Sequence, residues 1–277
     1  MDAGLKPRTV RTLKLLLAYD GSGFVGWQRQ AAGPSVQGAL EEAFARIEGK
    51  AVAVAGAGRT DAGVHAAGQV ASAEVTLVLD AVTLRRALNA MLPPAIRVLA
   101  VEEREPGFHA RFSARSKTYE YRILNGPVAN PFSQRYAWHV PFPLDPERMA
   151  GAARLLEGTH DFAAFRSTGT DVHTTVRRVL TSSVLCSPAG SPNDMLAPAV
   201  DLAGGTVLIY RVTGTGFLRH MVRAIAGTLV DIGAGRAEVA HMRVLLEERH
   251  RESAGPTAPA RGLCLAGVDY DGRSTPL

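Results

Sequence analysis

Cysteine is nearly missing from this chain of 277 residues: Cys186 and Cys264 stand alone, too few to build a paired-cysteine metal framework. Without a secretory context no disulfide between them is expected, so both read as thiols of a reducing compartment. Long hydrophobic runs are lacking as well. Residues Met1–Lys14 hold no apolar core of signal-peptide length, and no stretch approaches the roughly 20 apolar residues of a membrane-spanning helix. The expected location is the cytoplasm. The eight histidines show no metal-ligand spacing, so no metal site is expected. A glycine-rich stretch lacks the Gly-Lys-Ser/Thr ending of a phosphate-cradling loop.

What is present is an ordinary globular composition, 46% hydrophobic and 21% charged, which can bury a core and is not that of a disordered chain. The length exceeds the usual range of one core, and two domains are expected. A net charge of +5 with a pI near 9.5 suits a polyanionic partner, although the same balance occurs in proteins that never meet nucleic acid.

Periodicity gives the first half the order strand, helix, strand, strand, helix, strand, the split βαβ pattern of ferredoxin-like domains. The elements are a strand at Leu13–Tyr19, a helix capped by Ser35, and short strands at Val52–Ala55 and Gln69–Val75. A helix marked by Leu84, Leu88 and Met91 follows, ended by Pro93-Pro94, then a strand at Ile96–Val101. The second half is expected to repeat this order. Its strands are Thr118–Leu124, Tyr136–Val140, Val176–Leu185, Thr206–Thr213 and Leu263–Tyr270. Its helices are one capped by Asp145 with Pro146 at its first position, a long one from Leu218, and a shorter one near Val239–Arg249. Ser187–Gly205, rich in Pro, Gly, Ser and Asn, reads as a surface insertion. The boundary is expected near Glu103–Phe108, dividing residues 1–107 from 108–277. The fold class is thus α+β, with two ferredoxin-like halves that could join their strands into one mostly antiparallel sheet and leave a cleft between them.

The chain is organised around Gly56–Gly68, where Arg59, Thr60, Asp61 and His65 sit among four glycines, a pattern suited to a tight turn or a close-lying ligand. If the segment is extended, Arg59 and Asp61 face the same way, and the guanidinium can keep the carboxylate ionised and aimed. A glycine-rich turn carrying a surface ion pair has the same composition. Further on, Arg111, Arg115, Lys117 and Arg122 are interleaved with Phe108, His109, Phe112, Tyr119 and Tyr121. Cations among aromatics suit looped or single-stranded RNA, whose phosphates are neutralised while unstacked bases lie on rings. For Tyr121 and Arg122 taken singly, a core tyrosine and a solvated arginine are expected.

Gly58-Arg59-Thr60-Asp61-Ala62-Gly63-Val64-His65-Ala66 resembles the signature of tRNA pseudouridine synthases of the TruA type. Similar segments run along most of the chain: Tyr19-Asp20-Gly21 to Gly26-Trp27-Gln28, Val36-Gln37-Gly38-Ala39-Leu40-Glu41, Phe108-His109-Ala110-Arg111-Phe112-Ser113-Ala114, Lys117-Thr118-Tyr119, Gly158-Thr159-His160-Asp161-Phe162, Gly216-Phe217-Leu218 and Met221-Val222-Arg223. Ala224 and Ala226 depart from that pattern. The resemblance implies a homodimer that isomerises uridine to pseudouridine at positions 38 to 40 of the tRNA anticodon arm, without cofactor or metal. It implies that Asp61 is the catalytic aspartate, attacking base or ribose as a nucleophile or taking a sugar proton to give a glycal. Arg59 then assists flipping of the uridine, Tyr119 stacks on the uracil, and Arg223 pairs with Asp61 from the second half. Gly227, one turn from Arg223, is expected to admit a close approach. His65 is expected to support the loop by hydrogen bonds and to lie among the substrate-binding residues. Arg111, Arg115, Lys117 and Arg166, with the stretch Arg166–Arg178, are candidates for phosphate contacts. A non-catalytic tRNA-binding protein would use the same basic aromatic surface but leave Asp61 idle. A glycoside hydrolase would need a second carboxylate that the sequence does not place near Asp61.

Overall fold

In the computed structural model, which describes residues 9–129, 131–167, 173–188 and 205–271, the chain is mixed α+β with a large, mostly antiparallel sheet. The apolar run near the start becomes β1 (Arg11–Tyr19), where Leu13, Leu15 and Leu17 are buried at every second position. The chain then forms α1 (Val36–Glu48), β2 (Val54–Gly56), β3 (His65–Val75), α2 (Ala81–Met91) and β4 (Ile96–Arg104). β1 pairs antiparallel with both β3 and β4, and β2 pairs with β3. The order β4-β1-β3-β2 is that of a ferredoxin-like sheet.

Caps explain where the helices begin. The Ser35 hydroxyl accepts from Gly38 N–H at 3.1 Å, and Gly49 closes α1 in the left-handed region at φ +76. The Asp80 carboxylate accepts from Val82 and Thr83 N–H and so starts α2. At the end of α1, Glu48 accepts from Thr76 N–H at 2.7 Å, from Leu77 N–H at 3.1 Å and from the Thr76 hydroxyl, with no exposure of its side chain. That carboxylate ties α1 to the residues just beyond β3.

β3 begins four residues before the expected Gln69. Ala66, Gly68, Ala71 and Ala73 are small and buried, so this strand is covered on both faces and shows no alternation for periodicity to detect.

The second unit holds β5 (Ser116–Asn125), β6 (Trp138–Val140), α3 (Pro146–Arg154), β7 (Gly158–Asp161), β8 (Val176–Pro188), β9 (Thr206–Gly214), α4 (Met221–Gly233) and α5 (His241–Glu248). β10 (Leu263–Asp269) starts in this unit. β5, β9, β8 and β7 pair antiparallel in that order, and β6 runs parallel to β5. The ferredoxin-like succession recurs as β5, α3, β8, β9, α4 and β10, with β6, β7 and α5 added. The four-residue β7 is too short and polar to read as a strand in the sequence. Asp145 caps α3 by accepting from Glu147 and Arg148 N–H, with Pro146 at the first position, as expected.

One expectation fails on β5. Tyr121 is core, but Arg122 is not solvated: it is 5% exposed and its Nη2 lies 3.1 Å from Glu120 Oε2. Glu120 also accepts from Arg211 Nε at 2.9 Å across the β5–β9 pair, so a buried carboxylate joins a buried arginine to an exposed one on the polar side of the strand.

The two compact units are the chain up to Arg115 with the segment from Gly267, and Ser116–Ala266. The segment Phe108–Arg115 stays with the first because Arg115 N–H donates to Asp269 O at 2.8 Å and Tyr270 OH to Ala110 O at 2.6 Å. Most of the Ser187–Gly205 insertion, and 168–172 within Arg166–Arg178, lie outside the described residues. Among the described residues no helix is long and apolar enough to cross a membrane.

Candidate active site

In the first unit the signature segment is an irregular loop between β2 and β3, and neighbouring backbone holds it closely. Ala57 N–H donates to Val70 O at 2.8 Å where the loop leaves the sheet. Trp27 N–H donates to Thr60 O at 3.0 Å, and Val64 N–H to Asp61 O at 3.1 Å, closing a turn in which Gly63 takes φ +77. Gly26 adopts φ +110, and a Cβ there would stand 2.6 Å from Thr60 O. A Cβ on Gly21 would strike Val64 O, and one on Gly56 the Trp27 ring. What approaches these glycines is the chain itself.

Side chains complete the clamp. The Thr60 hydroxyl is 2.8 Å from Tyr19 OH in the interior, and Gln69 Nε2 donates to Tyr19 OH at 3.3 Å and to Gly58 O at 2.9 Å. Thr60, Tyr19 and Gln69 are all buried, so each hydroxyl or amide depends on these partners in place of water. Thr60 points inward between an exposed Arg59 and a half-buried Asp61. That alternation fits an extended segment with Arg59 and Asp61 on the outer side. His65, 3% exposed, opens β3; its Nδ1 accepts from Gly21 N–H at 3.1 Å and lies 3.2 Å from Asp20 Oδ1.

Arg111 is exposed on the turn Phe108–Ser113, also in the first unit. Its neighbour Ala110 is fully buried in a small cluster with Ala57 and Val70, against Leu16, Val268 and Tyr270. The root of the Asp61 loop and the root of the basic turn therefore share one patch of core. Arg115 is exposed where the unit ends.

The second unit carries Tyr119, Lys117, Arg166 and Arg223. Tyr119 on β5 is 7% exposed and meets Phe217 edge to face, centroids 5.1 Å apart. Lys117 is half-buried on the same strand, and Arg166 is exposed after the 3-10 turn Ala163–Phe165. Arg223 sits in the first turn of α4 and exchanges two hydrogen bonds with Ala258: Nε donates to Ala258 O at 2.7 Å, and Ala258 N–H donates to Arg223 O at 3.1 Å. Gly227 does admit a close approach, and the visitor is Pro256 O of the same chain, which a Cβ would strike. Gly255 packs likewise on Thr228, whose hydroxyl accepts from Gly255 N–H at 2.9 Å. Ala224 and Ala226 are small because α4 is buried on nearly all sides. Below Arg223, Tyr121 OH donates to Pro259 O at 2.8 Å. Burial pushes that phenol well above the ordinary tyrosine range, while the charges of Arg223 and Arg261 oppose the rise.

Tyr19 and Gln69, whose side chains clamp the loop, and Trp27, whose backbone N–H does, had no individual role in the sequence reading. Their signal was a polar residue at a position whose neighbours are core, as with Gln69 beside Val70. Arg261 carried no signal. Among the described residues no group of three or more His, Cys, Asp or Glu side chains is placed to hold a metal.

A family model described as tRNA pseudouridine synthase matches residues 16–113 and 152–271. The chain is 43% identical over 264 residues to tRNA pseudouridine synthase A of Solibacter usitatus, covering 94% of this chain and 100% of the relative. It is 44% identical over 260 residues to tRNA pseudouridine synthase A of Moorella thermoacetica, covering 93% and 99%. To the protein of that name from Streptococcus pneumoniae strain P1031 it is 39% identical over 259 residues, covering 93% and 98%.

Proposed function

We propose a function from one premise: the chain belongs to the tRNA pseudouridine synthase family and is an isomerase that converts uridine to pseudouridine in tRNA. Its targets are uridines 38 to 40 of the anticodon stem-loop, and Asp61 is the group that starts the chemistry. The C1'–N1 bond breaks, the uracil turns while still bound, and C1' bonds to C5. The proton on C5 leaves and N1 is protonated, so the atoms balance without an oxidant or reductant. One carboxylate serves the whole sequence, as a nucleophile toward base or ribose or as the base that takes a sugar proton.

The observation that carries this reading is the pinning of Thr60. With its hydroxyl held at Tyr19 and its carbonyl at Trp27 N–H, the backbone on either side is fixed, and Asp61 and Arg59 are left on the outer side of a loop that cannot slide. Arg59 assists extrusion of the uridine, which costs a few kcal/mol of lost stacking. In the second unit, the Tyr119 ring takes the uracil face while its hydroxyl oxygen helps to remove the C5 proton, and Arg223 serves as countercharge to the Asp61 carboxylate. Arg111, Arg115, Lys117 and Arg166 neutralise phosphates, and His65 sets the end of the loop beside the base. The enzyme acts as a cytoplasmic homodimer.

Tritium release from C5-labelled uridine in unmodified tRNA transcripts tests the assignment. The native protein is expected to release label, and Asp61→Asn to lose at least about a thousandfold in rate, as removal of a nucleophile does, while still binding tRNA. Release at the native rate by Asp61→Asn would remove Asp61 from the mechanism.

A further inference from the structure

Phe112 is 77% exposed, yet it is not a loose surface residue. Its ring lies on the His109 ring with centroids 4.4 Å apart at 35°, and the Arg111 guanidinium stands over it at 5.6 Å. The turn that presents it is hydrogen-bonded throughout. His109 Nδ1 accepts from Arg111 N–H at 3.1 Å and Phe112 N–H at 3.4 Å, and Ser113 N–H donates to His109 O at 2.9 Å. Ser113 Oγ accepts from His109 N–H at 3.1 Å. Beneath, Ala110 N–H donates to Ser72 Oγ at 3.0 Å and Ala110 O accepts from Tyr270 OH. Phe108 anchors the turn in the opposite direction, 8% exposed against Tyr270.

The fold thus holds one large apolar ring out in water, backs it with a second ring and sets a cation beside it. Folding gains nothing from that exposure. A rigid aromatic face flanked by a guanidinium suits a flat, anionic-backboned partner, an unstacked nucleotide with its base on the ring and its phosphate at the arginine. The turn also shares its root, through Ala110, with Ala57 at the base of the Asp61 loop. Resting on the tRNA reading above, we infer that the His109–Phe112 pair is a stacking platform for an unpaired base of the tRNA other than the reacting uridine. It fixes the RNA relative to the Asp61 loop within one rigid unit.

The experiment compares native protein, Phe112→Leu and Phe112→Trp at one salt concentration, by fluorescence anisotropy on two labelled RNAs. One is a stem with an unpaired loop; the other is the same stem as a continuous duplex. Phe112→Leu keeps apolar bulk but loses the π face, and it should weaken loop binding roughly 5- to 150-fold with duplex binding unchanged. Phe112→Trp should bind the loop at least as well as native. Native-like loop binding by Phe112→Leu, equal losses on both RNAs, or a tryptophan variant no better than leucine would overturn the platform. Tritium release by the native protein separates this from the function itself. Release with any of those results sinks the platform alone, whereas no release sinks the functional reading and the platform with it.

Discussion

In the first unit the Asp61 loop adds side chains to its backbone contacts at Gly21 and Gly26: Thr60, Tyr19 and Gln69 form a buried polar cluster, and Glu48 pins the far end of β3 by the same polar means. In the second unit the helix of Arg223 is set by backbone meeting backbone, with Pro256 on Gly227 and Gly255 on Thr228, and Arg223 itself is bonded to Ala258. The two devices differ in how they fail. A polar pin loses one hydrogen bond at a time, so damage is graded. A glycine contact between buried backbones has no room to give, so any side chain there moves whole segments.

The largest effect is therefore expected from Gly227→Ala. In an unhindered helix this change stabilises by about 1 kcal/mol. Here the added methyl must displace the Pro256 carbonyl, and a loss of about 3 kcal/mol, the upper end for overpacking, is expected in thermal or denaturant unfolding. A stabilised Gly227→Ala protein would break the contrast between the units.

Thr60→Val and Tyr19→Phe measure the polar pin. Each leaves volume nearly unchanged and removes one side of the same hydrogen bond, so each should cost about 1 kcal/mol. The double variant should cost clearly less than their sum, a coupling of at least about 0.5 kcal/mol. Tritium release should fall further than stability in both, because the bond orients the residue beside Asp61. Additive losses would mean that the two hydroxyls do not act as a pair.

The smallest effect is a pH dependence that only the polar device can show. Burial opposes ionisation of Glu48, but hydrogen bonds from the Thr76 hydroxyl, Thr76 N–H and Leu77 N–H, with the charge of Lys50, outweigh it and hold the carboxyl below the ordinary range. A depressed folded-state pKa stabilises fully above the unfolded value, about 4.3, and the contribution is lost as pH falls through the folded one. The difference in Tm between native protein and Glu48→Gln should thus be constant near neutrality and shrink below about pH 4. The difference between native protein and Gly227→Ala should stay flat across that range, since no titratable group takes part in the contact.

Much of the first unit was legible because its helices are amphipathic and capped: Ser35 and the Leu40–Phe44 stripe needed nothing beyond local rules. The early start of β3 was not, because small residues buried on both sides leave no period. Arg122 misled in the opposite direction. A charged residue alternating with aromatics reads as solvated, and only the folded sheet shows Arg122 buried against Glu120, which the neighbouring strand also joins to Arg211. Gly227 was read correctly as a point of close approach, but whether ligand or chain arrives there is a property of the segment near Pro256, distant in sequence.

By itself the sequence determined the α+β order of elements, the helix caps and the cluster of Arg59, Thr60, Asp61 and His65, since these depend on residues within a turn or two of one another. Only the tertiary structure decided how that cluster is aimed. Thr60 faces inward because Tyr19 and Gln69, remote along the chain or hidden in an unpatterned strand, supply the buried partners its hydroxyl requires. Asp61 and Arg59 are left outside for the same reason.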